Sequence, residues 1–134
     1  MGSWEINFRS RVHGPISSGQ MARDAAMYSH DVAEELAEES KDAWVRNLQG
    51  SIRVPTPYYW TRVDYREITP TLYEVHDHDI VYGPWLEGHG SRNAPNSIFP
   101  GYWSQARAKE TMKRRRDGIA RKILRGYRAR GKLI

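Results

Sequence analysis

Four consecutive residues, His76-Asp77-His78-Asp79, are the one cluster in this chain built from metal-binding side chains, with His89 a little further on. In an extended strand alternate residues face opposite sides, so both imidazoles would share one face and both carboxylates the other. Two histidines two apart can chelate zinc or iron. A working site needs a third ligand, and none stands at a recognisable spacing. The cluster therefore reads as the polar end of a strand or hairpin, and no metal or cofactor is expected. Glu87 and Asp79 are the nearest carboxylate pair for acid–base hydrolysis, a chemistry that needs pKa values set apart in a cleft. A metal-dependent hydrolase on His76, His78 and Glu87 is the enzyme reading these groups allow. Glu87 is explained more simply as a tie to a neighbouring loop, through Arg92, or to an adjacent subunit. The sequence holds no nucleophile elbow, phosphate-cradling loop or dinucleotide fingerprint, and an enzyme is not expected.

The C-terminal quarter points to a different chemistry. From Arg107 to Lys132 there are twelve Lys and Arg against Glu110 and Asp117, a local charge of +10 in a chain whose total is +5. The remainder is net acidic. Such segregation suits phosphates or an acidic protein surface. Arg107, Arg114, Arg121 and Arg128 recur every seven residues, joined by Arg125 and Lys132, on the side of a helix opposite Ala108, Met112, Ile119 and Ile123. They are placed to meet DNA, or to meet an acidic stripe formed by Asp24, Asp31, Glu35, Glu38 and Asp42. The stripe is long and regular enough to make pairing the preferred reading. The thirteen Tyr and Trp fall mostly outside the basic run, which favours core and interface roles over base stacking.

The elements that position these groups follow from periodicity. Trp4, Ile6 and Phe8 alternate with polar residues, the signature of a half-buried strand or of an arm that adds to a neighbour's sheet. Gly14 and Pro15 close that segment, and Ser17 or Ser18 can cap a helix running to about Ile52. Its stripe is Met21, Ala25, Tyr28, Val32, Leu36 and Ala43, while Trp44 and Leu48 lie further round and call for a second contact. Pro55 and Pro57 end it. A strand is expected over Tyr58 to Ile68, with Tyr59, Thr61, Val63 and Tyr65 on one face and Arg62, Asp64 and Arg66 on the other. Thr69-Pro70-Thr71 turns the chain into an antiparallel return at Leu72 to Val75. A second long helix spans Tyr102 to about Arg130. Gly118, Gly126 and Gly131 each cost it about 1 kcal/mol against alanine, so fraying is expected beyond Ile123 unless a partner holds that end.

Between the hairpin and that helix lies Val81 to Trp103, VYGPWLEGHGSRNAPNSIFPGYW. Gly83 and Pro84 suit the entry to a short helix that Gly88 and Gly90 end. Tyr82, Trp85 and Leu86 supply apolar bulk, and Asn93, Pro95, Asn96 and Pro100 punctuate a loop that Phe99, Tyr102 and Trp103 re-anchor. One small domain is not expected to bury so many aromatics. A subunit interface is expected of Tyr82, Trp85, Leu86, Glu87, Arg92, Phe99 and Tyr102, together with Trp4, Ile6 and Phe8.

The order of two strands, Tyr-x-x-aromatic-apolar-Glu-Gly, a polar loop and a long basic helix resembles the tail-completion or head–tail joining family of long-tailed phages. These are the lambda Z-like minor tail proteins, and the actinobacteriophage versions look most alike in YGPWLEG, GSRN and FPGY. The resemblance covers roughly Gly14 to Arg130. It implies a structural protein of the virion neck or tail end, made in the host cytoplasm, that completes tails or joins them to heads. It further implies a homo-oligomeric ring, a hexamer in the first instance, touching other neck and tail proteins and surrounding DNA without reading its sequence.

At 134 residues a single domain is expected, of class α+β. Its parts are an arm at 1–13, a core at 14–104 with a long helix, an antiparallel hairpin and a short aromatic helix and loop, and a basic helix at 105–134. The absence of cysteine excludes disulfides and thiolate metal sites. No run has the character of a signal peptide or membrane span, so a soluble protein with no membrane partner is expected. Two long helices and a small sheet bury a limited core, which a closed ring would complete. The alternative is a stand-alone nucleic-acid-binding module.

Overall fold

The computed structural model describes residues 3–9, 19–51, 62–78 and 104–133. The short aromatic helix and loop expected at 81–103, with Tyr82, Trp85, Leu86, Glu87, Arg92, Phe99 and Tyr102, lie outside the described residues, as do Asp79, His89, Ser17 and Ser18 and the stretch 52–61. The chain is α+β: β1 (Ser3–Asn7), α1 (Gly19–Ser51), β2 (Asp64–Thr69), β3 (Leu72–His76) and α2 (Ser104–Ala129).

β2 and β3 form the expected hairpin. Thr69 pairs with Leu72 across the Pro70-Thr71 turn, and an irregularity between Glu67 and Thr69 places a bulge at Ile68. Strand alternation is as the sequence requires: Val63 and Tyr65 turn inward, Asp64 and Arg66 outward. β2 begins later than expected among the described residues, with Arg62 and Val63 leading into it.

β1 corrects one expectation. Rather than adding to a neighbour's sheet, it pairs antiparallel with β3 of its own chain, Trp4 opposite Val75 and Ile6 opposite Tyr73, giving the order β1-β3-β2. Burial supplies the reason. Trp4, Ile6 and Phe8 pack on the chain's own core, and the Trp4 ring lies 5.3 Å from that of Trp44.

The helices run antiparallel, because contacts climb one as they descend the other. Tyr28 Oη donates to the Ala120 carbonyl (3.0 Å), Arg115 meets Glu39 (2.7 Å), and Asn47 Nδ2 donates to the Ser104 carbonyl (3.0 Å). The second contact expected for the end of α1 is made here: Trp44 and Leu48 are buried, and Trp44 Nε1 donates to Ser104 Oγ (3.2 Å). Ala33, Ala37, Trp44, Leu48, Tyr73, Val75 and Ala108 form one buried cluster, while Tyr28, Val32, Leu36, Met112, Ile119 and Tyr127 form the next along the helix pair. Each large side chain so buried contributes about 1.5–3 kcal/mol.

α2 does not fray beyond Ile123. Tyr127, 1% exposed, sets its ring edge against Tyr28 at 5.7 Å and donates its hydroxyl to Asp31. Gly131, expected to weaken the helix, instead closes it. At φ 78° its N–H donates to the Arg128 carbonyl (3.0 Å) and the Lys132 N–H to the Tyr127 carbonyl (2.9 Å), a Schellman cap that satisfies the last carbonyls.

Candidate functional site

A helix with 3.6 residues per turn brings every seventh residue back to nearly one line. With Ala108, Met112 and Ile119 fixed inward, Arg107, Arg114, Arg121, Arg125 and Arg128 are held outward, and all five are exposed; Lys132 is half-buried beside the helix cap. Arg114, Arg121, Arg125 and Arg128 make no ion pair among the described residues. The preferred reading of the sequence, in which this row meets the acidic stripe, does not hold inside the chain. The reason is angular: the cations of α2 that flank α1 are Arg115 and Lys122, a third of a turn from the row.

The acidic stripe is dispersed among several uses. Asp24 is buried and accepts from Gln20 Nε2 (2.8 Å), and Asp31 takes the Tyr127 hydroxyl. Burial first, then that hydrogen bond, pushes the Tyr127 hydroxyl up to about 12. Glu39 pairs with Arg115 and also hydrogen-bonds Glu35. That bond, with burial and the nearby charges of Glu39 and Glu38, raises the Glu35 carboxyl above its ordinary value against a smaller pull from Lys122. Glu38 and Asp42 face solvent.

No protein-family model matches the chain, and no curated protein or solved structure matches it either.

A groove of about 390 Å³ lies between β1 and α2, with Trp4, Ile6, Phe8, Leu36 and Met112 as its apolar lining and Lys109, Lys113 and Arg116 around it. Lys109 Nζ stands 5.5 Å from the Trp4 ring centroid, a cation–π contact. At the groove Ser40, fully buried, has no hydrogen-bond partner for its hydroxyl among the described residues; a buried donor in that state costs about 1–3 kcal/mol.

His76 and His78 do come together, though not by alternation. The strand ends at His76, and His78 at φ 59° folds back so that its N–H donates to His76 Nδ1 (3.2 Å) with the rings 4.5 Å apart. Nδ1 is thereby an acceptor, which leaves the proton on Nε2. Burial, then the His78 and Arg66 charges, lowers the His76 pKa. No three His, Asp or Glu form a metal site among the described residues.

The sequence did not reveal the cluster at the hairpin turn. His30 Nδ1 meets the Pro70 carbonyl (2.7 Å), and Tyr73 Oη donates to Glu67 (3.0 Å) and Glu34 (3.3 Å), locking β2–β3 onto α1. Burial and those carboxylates push the Tyr73 hydroxyl well up. His30 and Glu34 stand four apart on one helix face, but their partners are about forty residues away and nothing local announces them.

Proposed function

We propose that this chain is a structural virion protein of a phage head-to-tail connector or tail end, which completes tails or joins them to heads as a ring around the DNA channel. The Tyr82–Tyr102 motif carries the family reading. The observation in the fold that supports it is the outward arginine row of α2, exposed over Arg107–Arg128 while the acidic residues Glu38 and Asp42 are exposed on α1. A protein with opposite charge on two sides has a surface for its own next copy and a surface for phosphate. Ring closure by such head-to-tail contacts needs no further component. The ring we propose is a hexamer.

The exposed row also favours a second reading, a stand-alone nucleic-acid-binding module. Replacing Arg114, Arg121 and Arg128 by glutamine separates the two. If the row meets DNA, the wild-type log affinity falls with log salt at a slope of about −0.9 per phosphate neutralised, independent of sequence, and the triple variant has a smaller slope with its oligomer intact. If the row joins subunits, the triple variant dissociates. A monomeric wild type that binds one DNA sequence tightly would favour the module.

A further inference from the structure

We infer that the sheet continues from copy to copy, the β1 edge of one chain receiving the β2 edge of the next; this rests on the ring reading above. β1 and β2 are the outer strands of the order β1-β3-β2, so each has one edge with no strand beside it among the described residues. The groove at β1 is lined by every residue from Trp4 to Phe8. Alternate residues of a strand face opposite sides, so all five share only the strand's edge, and the groove runs along it. α2 extends beneath, offering Lys109, Met112, Lys113 and Arg116 as a shelf, and Ser40 presents a buried hydroxyl without a partner among the described residues.

The two edges carry opposite charge. Beside β1, α2 sets Lys109, Lys113, paired with Glu110, and Arg116, paired with Asp117, in a helix of ten Lys and Arg against two acids, with Glu5 on the strand itself. Around β2 stand Asp64, Glu67, Glu34, Glu38 and Asp42, close enough that four of them act on the Tyr65 hydroxyl. The cations there are Lys41, paired with Asp64, Arg66, paired with Glu74, and Arg62. An acidic edge therefore meets a basic shelf, which commits the groove to a second copy of this chain. The bulge at Ile68 confines the stretch of β2 that is received to Asp64–Glu67. Both outer strands run antiparallel to β3 and hence parallel to each other. Rotation about an axis along the strands keeps their direction, so the new pair is parallel and heterologous, as a closed ring requires. A two-fold dimer would instead pair β1 with β1.

The chain has no cysteine, so introduced thiols report without background. Within one sheet positions 5 and 64 or 66 are separated by β3, roughly 10 Å at the usual strand spacing, beyond the span of about 7 Å that a disulfide tolerates. Glu5→Cys protein mixed with Asp64→Cys or Arg66→Cys protein is oxidised, and each single variant is oxidised alone. The expected result is a disulfide-linked dimer in at least one mixture and none with Glu5→Cys alone. Dimers of Glu5→Cys alone, or no dimer in either mixture from an oligomeric protein, would overturn the inference. Lys113→Glu with Arg116→Glu should reduce the native mass to that of one chain at unchanged helical circular dichroism; an unchanged mass contradicts it. A monomeric wild type would refute the ring itself, whereas an oligomer without cross-links refutes only this edge pairing.

Discussion

Glu35 and Tyr127 show how single side chains on the α1–α2 seam set the pH range of the fold. Glu35 holds its proton to higher pH when folded than when unfolded, because Glu39 hydrogen-bonds and repels it. The folded state then binds more protons just above the ordinary carboxylate pKa, and stability falls as pH rises through that window. Glu35→Gln keeps the hydrogen bond without the charge. It should be more stable than wild type at about pH 7, with the gap closing at about pH 3.5, where both side chains are neutral; urea titrations at the two values check this. Tyr127, pushed up to about 12, has the same sign at the alkaline end. The stability it contributes is complete below the unfolded tyrosine pKa near 10 and is lost as pH rises towards 12. Tyr127→Phe should cost about 1 kcal/mol at neutral pH, Asp31 being free to regain water, and should flatten the loss of stability above about pH 10 followed by far-ultraviolet circular dichroism. The packing of the basic helix beside α1 is legible in the sequence, but neither of these contacts is. Asp31 stood in the acidic stripe, but Tyr127 lies 96 positions away, and only the packed helix pair joins them.

At the scale of elements the sequence was most informative where a period was sustained. Both long helices, the hairpin with its Pro70-Thr71 turn, and the inward faces of Val63, Ala108, Met112 and Ile119 were all readable. The end of α2 was not, because glycine carries two meanings that composition cannot separate. Gly118 and Gly126 are ordinary helix interior, where an added Cβ meets nothing within 4 Å, whereas Gly131 is a left-handed cap. The first two changed to alanine should each raise stability by about 1 kcal/mol. Gly131→Ala should lower it by a similar amount through the unfavourable φ. Denaturation midpoints of the three variants check the contrast. β1 is the strand its alternation indicates, but it joins the chain's own sheet rather than a neighbour's. Alternation fixes which residues are buried together, but it is silent on which sheet receives them.

For the whole molecule the segregation of charge was visible in the sequence, and its use was not. The expected match between arginine row and acidic stripe fails within the chain because the row sits opposite the α1 contact, and Arg115 takes Glu39 instead. A pair open to solvent on its arginine side contributes only about 0–1 kcal/mol. Its loss in Arg115→Ala should shift the denaturation midpoint little and leave any oligomer intact. Arg114, Arg121, Arg125 and Arg128 stay exposed without an ion pair among the described residues, and under the proposed function they meet the next copy or the DNA. Both uses require self-association into a closed ring, which electron microscopy of the purified protein with native mass measurement would reveal. Annular particles with a central channel are expected, with a mass that is a whole multiple of 15.6 kDa, six-fold for the proposed hexamer. A uniform monomer of 15.6 kDa at high concentration and low salt, with no annular particles in the images, would contradict it.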